Sequence, residues 1–279
     1  MRLAPAAVIP ALLTPYDADG AVDRDALRAH VGWLVDQGVD GIMPCGTTGE
    51  TAFLSDDEVV EVVEAVVAGA AGRVPVIAHV GRPSTRATAR LIAAAVDLGA
   101  AGVSAIVPYY YAFGEREIVA HFRALLRAAG DTPLYAYSFP ARTGNAFSPE
   151  AFGALVADGL AGMKDSTSDD ALHEAYLAAA PEAEVFVGSP SHLLHALRAG
   201  SRGGVAALAN LRPELVLALA AAWRDGDDAE AERLQEEVRA AERALASDHA
   251  LAALKRGVAE LIAERGGHYP AALRSPLGA

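Results

Sequence analysis

Cysteine is nearly absent from this chain of 279 residues: Cys45 stands alone. No internal disulfide can form, which fits a reducing compartment and makes the cytoplasm the expected location. Lysine is almost as scarce. Of 23 basic residues only Lys164 and Lys255 are lysines, so arginine serves nearly everywhere a cation suffices. Positive charge is in the minority, 36 acidic residues against 23 basic giving a net charge of −13, which argues against nucleic acid or an anionic membrane surface as partner. No apolar stretch reaches the roughly 18 uncharged residues of a membrane span. The amino terminus, interrupted by Pro5, Pro10 and Pro15, does not read as a signal peptide. Eight histidines form neither HxH nor HExxH, and Cys45 has no partner at ligand spacing, so no metal is expected. GxGxxG, P-loop and nucleophile-elbow motifs are missing, which leaves nucleotide and serine-hydrolase chemistry without support.

What the chain does hold is apolar residues, 52% of the total, in short β-branched runs alternating with segments of helical spacing. The runs are Ala7–Leu13, Gly38–Pro44, Val74–Val80, Gly102–Pro108, Pro133–Phe139, Leu160–Lys164, Glu184–Gly188 and Gly203–Leu208. Between them, helices are predicted at Asp23–Gln37, Ser55–Ala71, Ser84–Leu98, Glu115–Ala129, Ser148–Ala157, Ser168–Ala180 and Ser191–Ala199. Several open on a Ser or Asp N-cap, and Ser55-Asp56-Asp57-Glu58 has capping-box form. Strict alternation with nearly continuous apolar strands means a parallel sheet buried on both faces. Eight such units close into an α/β fold, the (β/α)8 TIM barrel. From Pro213 the pattern is helical alone, at Pro213–Arg224, Asp227–Leu245 and Leu251–Gly266. The expected organisation is a barrel over residues 1–212 carrying the catalytic site, with a helical extension over 213–279 packed on it, because the connections are too short for a separate domain.

In such a barrel reactive groups sit at the carboxyl ends of the strands. The polar residues there are Thr14, the Gly46-Thr47-Thr48-Gly49-Glu50 turn, His79, Tyr109 to Tyr111, Tyr137 to Gly144, Lys164, Ser189 and Asn210. Lys164 is the most informative, since it ends an apolar strand in a chain that otherwise uses arginine. A desolvated ammonium gives up its proton more readily and becomes a nucleophile, which a guanidinium cannot. Two readings fit: a Schiff-base lysine, or a buried lysine paired with Asp165 or another carboxylate. Lys255, among surface-type positions of a C-terminal helix, reads as solvated. The glycines of the 46–50 turn free a backbone able to bind a carboxylate, or the turn is a local strand-to-helix cap. The phenols are candidate proton relays or rim packing. Arg142 is a carboxylate clamp or a surface ion-pair partner. His79 reads as a satisfied polar residue at the mouth or as a substrate contact, and His192 and His195 as a solvated helix face.

Together and in order, GTTGE at 46–50, PYYY at 108–111, YSFPARTG at 137–144 and GMKDS at 162–166 resemble the dihydrodipicolinate synthase and N-acetylneuraminate lyase family over the whole chain. The resemblance implies a cofactor-free class I mechanism in which Lys164 forms an imine with pyruvate. It further implies that Tyr137 shuttles protons, and that Thr47 and Tyr110 complete a hydroxyl relay, Tyr110 reaching into a neighbouring subunit's site. Thr48 and the backbone from Gly46 onward would hold the pyruvate carboxylate, and Val205 would border its methyl group. The substrates implied are pyruvate and an aldehyde, or their 2-oxo acid adduct, in a homotetramer built as a dimer of dimers. Arg142 matches the arginine with which the synthases grip a carboxylated acceptor. Against that, YSFP stands where they read YNVP, and His79-Val80-Gly81 is closer to sugar-acid aldolases and sialate lyases, so a 2-keto-3-deoxy sugar acid or N-acetylneuraminate remains an alternative substrate. Asp56 and Val59 stand where lysine-inhibited synthases present histidines, which predicts no feedback inhibition by lysine. A silent barrel binding a 2-oxo acid is the alternative from another class; a binder needs no lysine with two phenols. A phosphate-handling barrel isomerase lacks its glycine-rich nest after strands seven and eight.

Overall fold

The computed structural model describes residues 3–246 and 250–278. Seven strands form one parallel sheet: β1 (Ala7–Pro10), β2 (Ile77–His79), β3 (Gly102–Ile106), β4 (Leu134–Ser138), β5 (Gly162–Asp165), β6 (Glu184–Val187) and β7 (Gly203–Ala206). Their order is β1-β7-β6-β5-β4-β3-β2. Gly38–Pro44, expected as a full strand, bridges only at Met43 to Ala11 and at Ile42 to Val76. Pro10, Pro44 and Pro75 each withhold an N–H from this seam, which breaks the regular ladder. The segment still lies between the sheet's two edges. Met43 donates to the Pro10 carbonyl (3.0 Å), and Leu12 to that of Met43 (2.9 Å). On the other side Ile77 donates to Ile42 and His79 to Pro44, at 2.9 and 3.1 Å. The curled sheet thereby meets itself as a barrel, with no exposed edge to template aggregation.

Side chains alternate between two compartments. Ile9, Met43, Ile77, Tyr135, Phe186 and Val205 pack with one another inside the barrel. Their strand neighbours Ala78, Val103, Ala136, Met163 and Val185 join the larger core under the helices. The surrounding helices are α1 (Arg24–Asp36), α2 (Asp56–Ala70), α3 (Thr85–Asp97), α4 (Glu115–Ala129), a short α5 (Pro140–Thr143), α6 (Pro149–Ala157), α7 (Asp170–Ala179) and α8 (Leu193–Ala199). Ser55 caps α2 reciprocally: its hydroxyl accepts the Glu58 N–H (3.2 Å) and its own N–H donates to the Glu58 carboxylate (2.8 Å). α5 was not anticipated; four residues are too few for a periodic signal, and they lie in a segment read as loop.

Three helices follow the barrel, α9 (Pro213–Arg224), α10 (Asp228–Leu245) and α11 (Ala250–Ala263). α9 packs against β1 and α10. Leu254, Val258 and Ile262 of α11 cluster with Leu13, Ala26 and Tyr269. Lys255, expected in solvent, is instead completely buried, because α11 turns that residue toward the barrel mouth and the carboxylate of Glu50 (Nζ to Oε1 2.5 Å). No helix among the described residues is long and apolar enough to cross a membrane.

Candidate active site

Register places the amine beside the phenol. Tyr137 on β4 and Lys164 on β5 are Cα partners in adjacent parallel strands, so both side chains enter the barrel on one face. Lys164 is only 5% exposed, and its Nζ lies 4.5 Å from the centroid of the Tyr137 ring. No carboxylate among the described residues comes within 4.0 Å of it. Asp165, the structural partner considered from the sequence, points to the opposite face. There its carboxylate shares a hydrogen bond with His173 Nδ1 (2.9 Å) and accepts the Thr167 N–H (2.9 Å). His79 completes the barrel-side wall, its ring edge-on to Tyr137 at 5.6 Å between centroids. Burial, reinforced by the positive charges of Lys164 and Arg82, lowers its pKa to about 3, so the imidazole is neutral around the amine. Neither ring nitrogen has a hydrogen-bond partner among the described residues.

The second component is the turn after the closing segment. The Tyr137 hydroxyl and the Thr47 hydroxyl are 3.2 Å apart. Within the turn Gly49 and Thr51 donate to the Gly46 carbonyl (3.0 and 3.2 Å), and Glu50 donates to that of Thr47 (3.1 Å). Among the described residues the amides of Thr47 and Thr48 donate to no protein acceptor, which leaves two adjacent N–H groups able to receive an anion. Thr14 braces the turn by donating its hydroxyl to the Gly49 carbonyl (2.9 Å). A Cβ at position 49 would lie 2.9 Å from the Leu12 carbonyl oxygen and 3.2 Å from the Cys45 nitrogen, so glycine is needed for close approach. The lone thiol of Cys45 is buried and its pKa is pushed up to about 12, which makes it a poor nucleophile.

Thr47, Thr48 and Arg142 line a cavity of about 620 Å³ at the carboxyl ends of the strands, together with Phe53, Glu242 and Leu251. Arg142 sits in α5, exposed, with its guanidinium 5.9 Å from the Phe139 ring and no ion pair among the described residues. Val205 lies inside the barrel against Phe186, and Gly46 is buried at the start of the turn. Tyr110 is not brought to this cluster within the chain. It is 85% exposed, holds a left-handed φ of 82° and meets Tyr111 edge-on. Glu242, whose carboxyl is pushed up by burial while Ser191 donates to it, comes from α10 and carried no sequence signal. Lys255 did carry one, since the scarcity of lysine that singled out Lys164 applies to it equally.

A parallel barrel of this architecture, matched along its length by a lyase and aldolase family, falls in the class of barrel lyases and aldolases. The chain belongs to the dihydrodipicolinate synthetase family, whose profile matches residues 4–279. It is 42% identical over 238 residues to an uncharacterised DapA-like lyase of Halobacterium salinarum, covering 84% of this chain and 78% of that protein. It is 35% identical over 242 residues to a 4-hydroxy-tetrahydrodipicolinate synthase of Methanopyrus kandleri, covering 85% and 80%. An N-acetylneuraminate lyase of an Enterobacter species is 35% identical over 231 residues, covering 82% and 78%. Among solved structures, the Escherichia coli K12 prophage protein YagE, of the dihydrodipicolinic acid synthase family and in complex with pyruvate, superposes with a TM-score of 0.90 at 26% identity, covering 97% of this chain and 92% of that one.

Proposed function

We propose that this protein makes or breaks a carbon–carbon bond between pyruvate and an aldehyde through an imine on Lys164, in the manner of 4-hydroxy-tetrahydrodipicolinate synthase. One observation carries the reading: a buried lysine without a carboxylate partner among the described residues, 4.5 Å from the ring of a tyrosine whose hydroxyl meets that of Thr47 at 3.2 Å. The neutral amine attacks the pyruvate ketone carbon. The carbinolamine takes up a solvent proton on its hydroxyl and loses it as water, leaving an iminium that acts as electron sink for the adjacent methyl carbon. Tyr137, having passed its hydroxyl proton to Thr47, removes a proton from that carbon as phenolate, the resulting enamine attacks the aldehyde, and the new alkoxide recovers a proton from the phenol so formed. Hydrolysis of the imine frees Lys164, and cleavage runs the steps in reverse. Thr48 and the free amides of the turn bind the carboxylate, Gly46 starts the turn, Val205 borders the methyl, and Thr47 passes protons onward. Neutral His79 adds no competing charge beside the amine.

Tyr110, exposed and strained in this chain, serves the relay from a neighbouring copy, in a homotetramer assembled as a dimer of dimers in the cytoplasm. Arg142, at the cavity rim with no ion pair among the described residues, grips a carboxylate on the acceptor. The 35% identity to an N-acetylneuraminate lyase favours one second reading, cleavage of a longer 2-keto-3-deoxy sugar acid or sialate. A side-by-side assay with aspartate semialdehyde, 2-keto-3-deoxygluconate, 4-hydroxy-2-oxoglutarate and N-acetylneuraminate tests the choice. The proposal predicts the highest kcat/KM for aspartate semialdehyde; a higher value for either sugar acid moves the assignment to the second reading.

A further inference from the structure

The chain's two lysines relate differently to one turn. Lys164 reaches it only through Tyr137, whose ring is 4.5 Å from Nζ and whose hydroxyl meets that of Thr47, and Lys255 grips its last residue from α11. Lys255 Nζ donates to Glu50 Oε1 (2.5 Å) and to the Ala272 carbonyl (2.7 Å), 4.4 Å from the centroid of the Tyr16 ring. The side chains of both Glu50 and Lys255 are wholly buried. The other oxygen of that carboxylate, Oε2, accepts the backbone N–H of Arg274 at 3.0 Å. The Arg274 guanidinium then donates to the Phe53 carbonyl (2.7 Å) and to Glu58 (2.9 Å), just beyond the same turn, and to the Gly20 carbonyl (2.6 Å) in the loop before α1. Every donor to the Glu50 carboxylate among the described residues thus comes from positions 255 and 274.

A buried ion pair gains little over a well-packed apolar pair, so net stability does not account for this one. What it fixes does. Glu50 holds a left-handed φ of 60°, strained for a residue with a side chain, and keeps it while its carboxylate is clamped. From there its N–H bonds the Thr47 carbonyl at 3.1 Å. The peptide group is planar and trans, so holding that oxygen aims the N–H on its other side, which belongs to Thr48. The Thr47 N–H is aimed in the same way, through the Gly46 carbonyl that Gly49 and Thr51 hold.

We infer that Lys255 and Arg274 are positioning residues for the anion-binding turn: by clamping Glu50, the C-terminal segment sets the direction of the two free amides and of the Thr47 hydroxyl that meets Tyr137. The role rests on the proposed function, in which this turn receives the pyruvate carboxylate. It acts on how tightly pyruvate is held and leaves the reactivity of Lys164 untouched.

The test is borohydride trapping of the Lys164–pyruvate adduct as a function of pyruvate concentration, below the Tm of each protein. It compares the natural protein, the double variant Lys255→Met with Glu50→Gln, which removes both buried charges, and Glu50→Asp, which keeps them but draws the carboxylate back. Half-saturating pyruvate should rise roughly tenfold in the double variant, about the loss of one well-aimed hydrogen bond to a charged group. In Glu50→Asp the rise should be roughly threefold, a partial loss of the same aim. The limiting yield of adduct should stay unchanged in both. Half-saturation within twofold of the natural protein in both variants overturns the inference, as does a fall in limiting yield without a shift. If the double variant does not fold, Glu50→Asp decides alone. A natural protein that traps no adduct refutes the imine reading and this role with it, whereas a normal adduct with unshifted variants refutes this role only.

Discussion

Tyr137→Phe separates the two halves of the proposed chemistry. The substitution keeps the ring that lies 4.5 Å from Lys164 Nζ and 5.6 Å from the His79 ring, and deletes only the hydroxyl that meets Thr47 at 3.2 Å. Its cost in stability is one half-buried hydrogen bond, about 1 kcal/mol, too little to unfold a domain of this size. Its cost in rate is the loss of a positioned proton carrier, ~10²–10⁴-fold, or about 3–5 kcal/mol on the barrier. The assay has two arms. Steady-state turnover with pyruvate and the best acceptor from the substrate comparison should fall by that factor. Borohydride trapping should still yield a Lys164 adduct, because the amine and its surroundings are intact. Turnover within threefold of the natural enzyme, with a normal adduct, refutes the assignment of Tyr137 as proton carrier.

Four further outcomes follow from the geometry. Arg142→Ala should leave Tm nearly unchanged, since the guanidinium is exposed and has no ion pair among the described residues, while raising KM for a carboxylated acceptor roughly tenfold or more; an unchanged KM excludes the clamp. Acid should destabilise the fold. Burial is the main cause that holds His30 and His121 at about 4 and His79 at about 3, below the ordinary 6.5. As pH falls the unfolded chain binds protons first, so stability is full above pH 6.5 and is lost below it. The three sites together remove about 4 kcal/mol between about pH 7 and 5.5, and His30→Gln should flatten that loss by about a third in denaturant titrations; a pH-independent midpoint contradicts the burial argument. Gly49→Ala should cost ~1–3 kcal/mol in the same titrations because its Cβ meets the Leu12 carbonyl at 2.9 Å; a neutral substitution would show that the turn can yield there. Free lysine at millimolar concentration should not inhibit turnover, and inhibition would refute the reading of Asp56 and Val59.

The barrel was legible because its strands are apolar on both faces and its helices open on caps such as Ser55, signals that survive without tertiary context. The seam was not. Gly38–Pro44 has a strand's composition, but the prolines that break its ladder act through neighbours distant in sequence. Strand-end polarity singled out Lys164, Tyr137 and Thr47, while their mutual register came only with the fold. Tyr110 was equally visible as a residue, yet its exposure, away from Lys164 and Tyr137, came only with the fold. Lys255 occupies a helical position of surface type, and only its scarcity pointed to burial. A second lysine in an arginine-rich chain carried the same message as the first, and its partner Glu50 lay in a motif already singled out.

The most direct test is peptide mass mapping after borohydride reduction with pyruvate. The chain offers only two lysines, one unpaired at the barrel mouth and one locked against Glu50, so the label has an unambiguous destination. A single reduced pyruvate on the peptide containing Lys164, with Lys255 unlabelled, is the predicted result. No adduct, or an adduct on Lys255, contradicts the account.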